Sequence, residues 1–293
     1  MITAICLDRT GAGDYNETRF RNKRRNTMHN VLFNLYPGGR SRALTFSYDD
    51  GPAEDIRLTD MLRKYGLKGS FHLNSARMAP GAAVSLADIP TVYATHEVSC
   101  HMVNHPFPVD IPDAAVLAQI QEDRRALEKA CGYVVRGMSY PYGNYDGRVI
   151  GLLRTAGMEY SRTTKATNAF GLPEDFMAWH PTCHHNGHLM DRLADFNEND
   201  RWGRSKLFYV WGHSFEFPRD NNWDMMEEFC KTVCGREDVW YATNIEIVDY
   251  VNALRSLRIS VDCDKFCNPT VTPVWITVDG QKIEVGAGAS VVL

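Results

Sequence analysis

The sequence predicts an α/β protein whose parallel strands close, or nearly close, into a barrel. Three observations lead there. Strand-like apolar runs alternate with amphipathic stretches of about 10–15 residues, the pattern of repeated βαβ units. Seven or eight such units fit between residues 40 and 257, enough to curl a sheet onto itself. The residues best suited to chemistry fall where strands end, the face of a barrel that carries function.

The first unit sets the frame. Leu44-Thr45-Phe46-Ser47-Tyr48 is an apolar, β-prone run that ends in Asp49-Asp50 and then in Gly51-Pro52, which must turn. Two adjacent carboxylates repel each other in a pocket of low dielectric, so both stay ionised only beside a cation. The plainer alternative is a strand followed by an Asx-type turn. Asp55 to Tyr65 reads as an amphipathic helix, with Leu58, Met61, Leu62 and Tyr65 on one face and Gly66 as its stop. Ser70 to Leu73 is the next strand, and residues 78–95 give a short helix and a loop. His96 to Cys100 is a strand, His101 to Pro112 a proline-rich loop, Ala114 to Cys131 a helix closed by Gly132, and Tyr133 to Tyr140 a strand. A helix over Val149 to Ala156 and a strand over Met158 to Ser161 follow. Further strands are expected near 176–181 and at 206–211 and 239–242, with helices near 187–196 and at 222–234 and 244–257.

From about Ile259 the texture changes. Val274-Trp275-Ile276-Thr277-Val278 and Lys282-Ile283-Glu284-Val285 alternate, and Asp279-Gly280 between them signals a hairpin. The expected division is an N-terminal extension over 1–27, poorly ordered and ending before Met28, a barrel over 28–258, and a small β appendage over 259–293.

Composition narrows the class. Of 293 residues, 44% are hydrophobic and 11% aromatic, enough for a large core. A net charge of −4 gives no electrostatic case for nucleic acid. The basic run from Arg19 to Arg25 reads as a solvated tail. Eight cysteines lie at irregular positions, and Cys230/Cys234 and Cys263/Cys267 are spaced C-x3-C, not the C-x2-C of a zinc knuckle. They read as reduced thiols of a cytoplasmic protein. Met1 to Leu7 lacks the charged leader of a signal peptide. No run approaches the roughly 18 apolar residues that span a bilayer, so no membrane partner is expected.

His101-Met102-Val103-Asn104-His105 puts two imidazoles four residues apart, in a chain with ten histidines. With an Asp from a strand end they make an Asp-His-His set, and three protein ligands leave a position open for water. Nitrogen and oxygen donors suit Zn²⁺, with Co²⁺, Ni²⁺ or Fe²⁺ as alternatives.

The order Asp49-Asp50-Gly51-Pro52, His101-x3-His105-Pro106, Pro141-Tyr142-Gly143 and a late strand ending in His213 resembles the NodB-like polysaccharide deacetylases, carbohydrate esterase family 4, over residues 40–257. The resemblance implies an irregular (β/α)7 barrel, one divalent metal and the removal of acetyl groups, N- or O-linked, from a carbohydrate. It implies Asp49 as general base, Asp50, His101 and His105 as metal ligands, and His213 as general acid. Pro141 and Tyr142 match the third motif, where the tyrosine N–H helps hold the oxyanion.

This sequence departs from the family in places. The arginine that orients the base stands three residues before the motif tyrosine in typical members; that place is Ser139 here, and Arg136 lies six before. Met102 stands where Ser or Thr usually follows the first histidine, and the fourth motif, an Asp/Trp pair, has no counterpart. Trp179-His180-Pro181-Thr182-Cys183-His184-His185-Asn186-Gly187-His188 carries four histidines that line the substrate pocket, form a second metal site, or sit in solvent. Trp211, with Phe215, Glu216 and Phe217, reads as a sugar platform or as packing around His213. The expected partner is an acetylated sugar. The two alternatives are an allantoinase-like hydrolase of a small amide and a catalytically silent carbohydrate-binding module.

Overall fold

The computed structural model describes residues 28–293; the expected extension over 1–27, with Cys6, lies outside them. In chain order the elements are β1 (Val31–Leu32), β2 (Arg42–Asp49), α1 (Asp55–Lys64), β3 (Gly69–Leu73), α2 (Ile89–Val92), β4 (Glu97–Cys100), α3 (Asp113–Cys131), β5 (Gly137–Ser139), α4 (Gly147–Thr155), β6 (Tyr160–Arg162), β7 (Cys183–His184) and α5 (Leu189–Asn197). Then come β8 (Lys206–Gly212), α6 (Glu216–Asp220), α7 (Trp223–Val233), β9 (Val239–Tyr241), α8 (Asn244–Arg255), β10 (Arg258–Ile259), β11 (Lys265–Cys267), β12 (Val274–Val278), β13 (Gln281–Val285) and β14 (Ser290–Val292).

The parallel sheet runs β6-β5-β4-β3-β2-β8-β7, and β9 joins the first half of β2. Its open edges approach each other through one segment: Trp179 bridges Arg162 beside β6, and β7 pairs with β8 four residues on. The result is the irregular (β/α)7 barrel that the motif order implied.

Two expected strands are shorter than the sequence suggested. Around 176–181 the Asp175 carboxylate accepts the Met177 N–H at 2.9 Å and winds Phe176–Ala178 into a turn, so only Trp179 pairs there. The strand expected from Tyr133 begins at Gly137, because the Val135 N–H donates to Glu128 on α3 at 3.1 Å.

Strand period explains what the barrel holds. Seven of the eight residues of β2 are buried. Leu44, Phe46 and Tyr48 join the apolar layer that includes Leu58 and Leu62 of α1 and Phe229 of α7. Thr45, Ser47 and Asp49 point the other way, into a polar interior. There Thr45 donates to Asn244 Oδ1 at 2.9 Å, Asn244 donates to the Tyr209 hydroxyl at 2.6 Å, and Ser47 meets His72 Nε2 at 2.8 Å. Glu97 accepts from Ser70, Ser99, Tyr160 and the Ile245 N–H, joining the interior to the start of α8. These paired groups hold a polar barrel interior together, although His72 Nδ1 and Ser161 Oγ are buried without a hydrogen-bond partner.

Below the barrel, α8 packs Ile247, Tyr250, Val251 and Leu254 against Tyr36, Val274, Ile276 and Val285. Two small antiparallel sheets, β1-β12-β13 and β10-β11-β14, cover that end. The β12–β13 turn has Asp279 and Gly280 both at positive φ (49° and 81°), the geometry of a tight hairpin. Among the described residues no helix is long and apolar enough to cross a membrane, and the seven described cysteines are free.

Candidate active site

Asp49 closes β2 and is 2% exposed, a carboxylate that survives burial only if paired. Arg162, the last residue of β6 and itself fully buried, donates to Asp49 Oδ2; Ser139, the last residue of β5, donates to Oδ1 at 3.0 Å. Burial alone would raise the Asp49 pKa, but Arg162, then His101, His72 and His213, outweigh it and hold the carboxyl well below its usual range. Arg162 Cζ in turn lies 4.5 Å over the Trp211 ring.

His101 follows β4 directly. Its Nδ1 lies 2.8 Å from the Ser139 carbonyl and 2.7 Å from Ser139 Oγ. The carbonyl can only accept, so the proton sits on Nδ1 and Nε2 keeps a bare lone pair. That Nε2 is buried without a hydrogen-bond partner, 3.8 Å from both Asp49 Oδ2 and Asp50 Oδ1. His105 Nε2 lies 3.7 Å from Asp50 Oδ1. Burial, partly opposed by Asp49 and Asp50, lowers the His101 pKa to about 4, and burial also lowers that of His105, so both are neutral donors near pH 7.

One atom from each of Asp50, His101 and His105 lies within 4.8 Å of the others. An orphaned, tautomer-fixed imidazole nitrogen facing a carboxylate suits a divalent cation. Asp50 Oδ1 has an ion-pair neighbour, Arg77 Nη1 at 2.8 Å, out of line for a hydrogen bond.

Backbone strain gathers at this point. Asp50, Met102, His105 and Tyr142 all have φ between 55° and 80°, a region disfavoured for residues with a Cβ. Tertiary contacts hold them there. Asp50 donates its N–H to the His72 carbonyl at 2.9 Å. Asp123 of α3 accepts the N–H of His101 at 3.0 Å and of Ser75 at 2.8 Å, and Asn74 Nδ2 donates to the carbonyls of His101 and Met102. Gly143 has no substitute: at its φ of 64° a Cβ would sit 2.1 Å from Thr164 Oγ1.

His213 follows β8 and is held by Glu216, three residues on. Glu216 accepts the His213 N–H at 3.2 Å and stands 3.5 Å from His213 Nδ1, a contact of ion-pair rather than good hydrogen-bond length. Burial would lower the His213 pKa, but Glu216, then Asp49, raise it. Glu216 also lies 2.9 Å from His184 Nε2 and 3.4 Å from His185 Nε2.

His184, His213 and Glu216 have the composition of a second metal set. The tautomer argues against it. His184 Nδ1 accepts the Asn186 N–H at 3.1 Å, so its Nε2 carries the proton and donates to Glu216.

A cavity of about 370 Å³ is lined by Asp49, Asp50, Arg77, His101, His105, Tyr140, Tyr142, Thr164 and His213. The expected base, acid and metal ligands therefore share one cleft. Pro141 is buried and opens the turn that puts the half-exposed Tyr142 ring 4.3 Å from His105 and stacked at 3.9 Å on Phe107.

Three expectations need correction. Arg136 does not reach Asp49: it precedes β5, at the far end of the strand from the site, and its guanidinium binds Asp249 at 2.7 Å and Glu159 at 3.1 Å. Trp211 is no sugar platform, being 8% exposed beneath Arg162. His184 does not line the cleft but supports Glu216. Of the other histidines in that run, His180 bonds Thr163 Oγ1 beside a separate cavity of about 440 Å³, His185 is buried between Tyr48 and Phe217, and His188 is exposed.

Sequence reading missed Arg162 and gave Glu216 no role. The signal for Arg162 was strand register: Tyr160 and Arg162 share a face, and Arg162 is the direct partner of Ser139 on the neighbouring strand. A guanidinium thus reaches Asp49 from the strand beside the one that carries Ser139.

Residues 37–161 match the family model for polysaccharide deacetylase. No curated protein matches the chain. Among solved structures, a Mycobacterium smegmatis protein assigned as a polysaccharide deacetylase is 17% identical with a TM-score of 0.57, over 77% of this chain and 96% of that one. The Xyl-CE4 domain of a multidomain xylanase from the hindgut metagenome of Trinervitermes trinervoides is 13% identical with a TM-score of 0.52, over 72% and 92%. The Streptococcus pyogenes deacetylase PplD is matched over only 55% of its length and 41% of this chain, at 17% identity and a TM-score of 0.39, too distant to bear on the fold. The barrel is that of the NodB-like polysaccharide deacetylases, carbohydrate esterase family 4, which this chain resembles in motif order, in fold and over the span of the family match.

Proposed function

We propose that the chain is a hydrolase that removes acetyl groups from an acetylated carbohydrate, with Asp50, His101 and His105 holding one divalent cation, Zn²⁺ first among those the donors suit. The observation that carries this reading is the bare, buried Nε2 of His101, aimed at Asp49 and Asp50 with its tautomer fixed by Ser139. A cation held there supplies Lewis acidity and a water acidic near neutral pH. Asp49, kept ionised by Arg162 and Ser139, accepts a proton from the attacking water as the oxygen adds to the acetyl carbon. The raised pKa gives His213 a protonated population near neutrality, and it donates that proton to the departing nitrogen or oxygen as the carbon–heteroatom bond breaks. Tyr142 contributes its backbone N–H to the acyl oxygen, a role supported by its positive φ of 58° and its position on the lining of the cleft.

The test is metal analysis of protein purified without chelators, beside acetate release from N-acetylated and O-acetylated oligosaccharides. About one divalent ion per chain and acetate release are expected. Asp49→Asn should keep the metal and lose activity by roughly 10²–10⁴-fold. Full activity in Asp49→Asn, or hydrolysis of allantoin in place of any acetylated sugar, would overturn the reading.

A further inference from the structure

Arg77 stands on the ridge between two cavities. One is the 370 Å³ cleft just described; the other, about 230 Å³, is lined by Pro52, Ala82, Ala83, Val84 and Phe215, and shares Asp50 and Arg77 with the first. Apart from that guanidinium and the Asp50 carboxylate, the side chains lining the second lobe are apolar. The turn Ser75–Met78 that carries Arg77 is anchored: Ser75 N–H binds Asp123, Ala76 N–H meets the Val103 carbonyl at 3.4 Å, and Arg77 N–H donates to Asn74 O at 3.0 Å. The backbone is fixed while the side chain is 49% exposed.

The carboxylate beside Arg77 is Asp50, and the contact is out of line for hydrogen bonding. Arg77 is half in solvent while Asp50 is largely buried, and without a hydrogen bond between them the guanidinium's donors stay open to a ligand. Asp50 is also the carboxylate assigned above to the cation. A divalent charge on Asp50 leaves a surplus of about two positive charges at this rim, counting Arg77 and setting Asp49 against Arg162. A planar guanidinium beside a small apolar lobe, in a field of that sign, is suited to a carboxylate held through two parallel N–H donors.

We infer that the substrate is an acetylated saccharide that also bears a carboxylate, and that Arg77 is the residue that selects it by binding that group at the mouth of the second lobe. The inference rests on the deacetylase reading and narrows its substrate class. The carboxylate belongs either to a uronate ring next to the acetylated sugar or to an acidic substituent on the acetylated ring itself.

Three probes separate the cases: chitotetraose, which is neutral; hyaluronan tetrasaccharide, with uronates next to N-acetylated rings; and an N-acetylmuramyl disaccharide, with the acid on the acetylated ring. At least one acidic probe should show a kcat/KM about tenfold or more above chitotetraose. That ratio should shrink with added salt, fall to near one in Arg77→Gln and stay intermediate in Arg77→Lys. Calorimetry with the Asp49→Asn protein gives a second readout. It should bind the preferred acidic probe more tightly than chitotetraose, and the Asp49→Asn/Arg77→Gln protein should not. Equal kcat/KM for acidic and neutral probes, or a ratio unchanged in Arg77→Gln, would overturn the role of Arg77. Acetate release from none of the three would overturn the deacetylase reading instead, and the binding comparison would still decide for or against Arg77.

Discussion

Asp49 and His213 are each set by one charged neighbour, and those neighbours make the sharpest predictions. Arg162→Ala leaves a buried carboxylate with Ser139 as its remaining donor. It should lower kcat/KM roughly 10- to 100-fold with metal content kept, the usual effect of removing a supporting partner at a metal site. It should also destabilise the fold by about 3–5 kcal/mol, because one half of a buried ion pair remains. Denaturant unfolding beside a steady-state assay separates the two. Glu216→Gln acts on the acid. Glu216 raises the His213 pKa, and the proposed mechanism needs His213 protonated, so activity should fall as pH rises through that pKa. In Glu216→Gln the alkaline limb of kcat/KM should move to lower pH, with the acid limb far less affected. An unshifted alkaline limb would remove Glu216 from this role.

At the scale of elements, the site was legible wherever a motif lay at the end of a long, strongly patterned strand. Asp49, Asp50 and His213 close or follow such runs, His101 and His105 were marked by their four-residue spacing after the short β4, and the structure brings all five into one cleft. Legibility failed where the partner sat on a short strand. β6 has three residues, too few for alternation to announce which face Arg162 takes, and its pairing with β5 is a relation between strands. The turn at 176–178 was hidden for a similar reason: one cap from Asp175 outweighs weak β-propensity. Gly212 shows how tightly β8 is fitted. A Cβ there would come within 2.1 Å of the buried His185 Nδ1, so Gly212→Ala should cost about 1–3 kcal/mol and displace His213. Comparing Tm and turnover of this variant checks both effects together.

For the whole molecule, the polar barrel interior and its buried histidines tie stability to pH. His96, at the foot of β4, accepts the Gly69 N–H on Nδ1 and faces the Thr59 carbonyl with Nε2, and burial lowers its pKa to about 4. The unfolded chain takes up this proton near pH 6.5, before the folded one does. Its contribution is therefore whole above pH 6.5 and is lost as pH falls toward 4. Between pH 7 and pH 5 this should cost about 2 kcal/mol, and urea unfolding of His96→Gln should show a correspondingly flatter profile. Ser139 and Arg162, facing each other across two strands, carry a different kind of consequence. Both positions look toward the same carboxylate, so natural selection can pass the guanidinium from one strand to its neighbour without redrawing the site. A lineage that lost the arginine at one address could keep its chemistry from the other. The reciprocal exchange, Ser139→Arg with Arg162→Ser, should recover activity that Arg162→Ser alone lacks, and searches for kin of this protein gain by scoring cross-strand pairs as single characters.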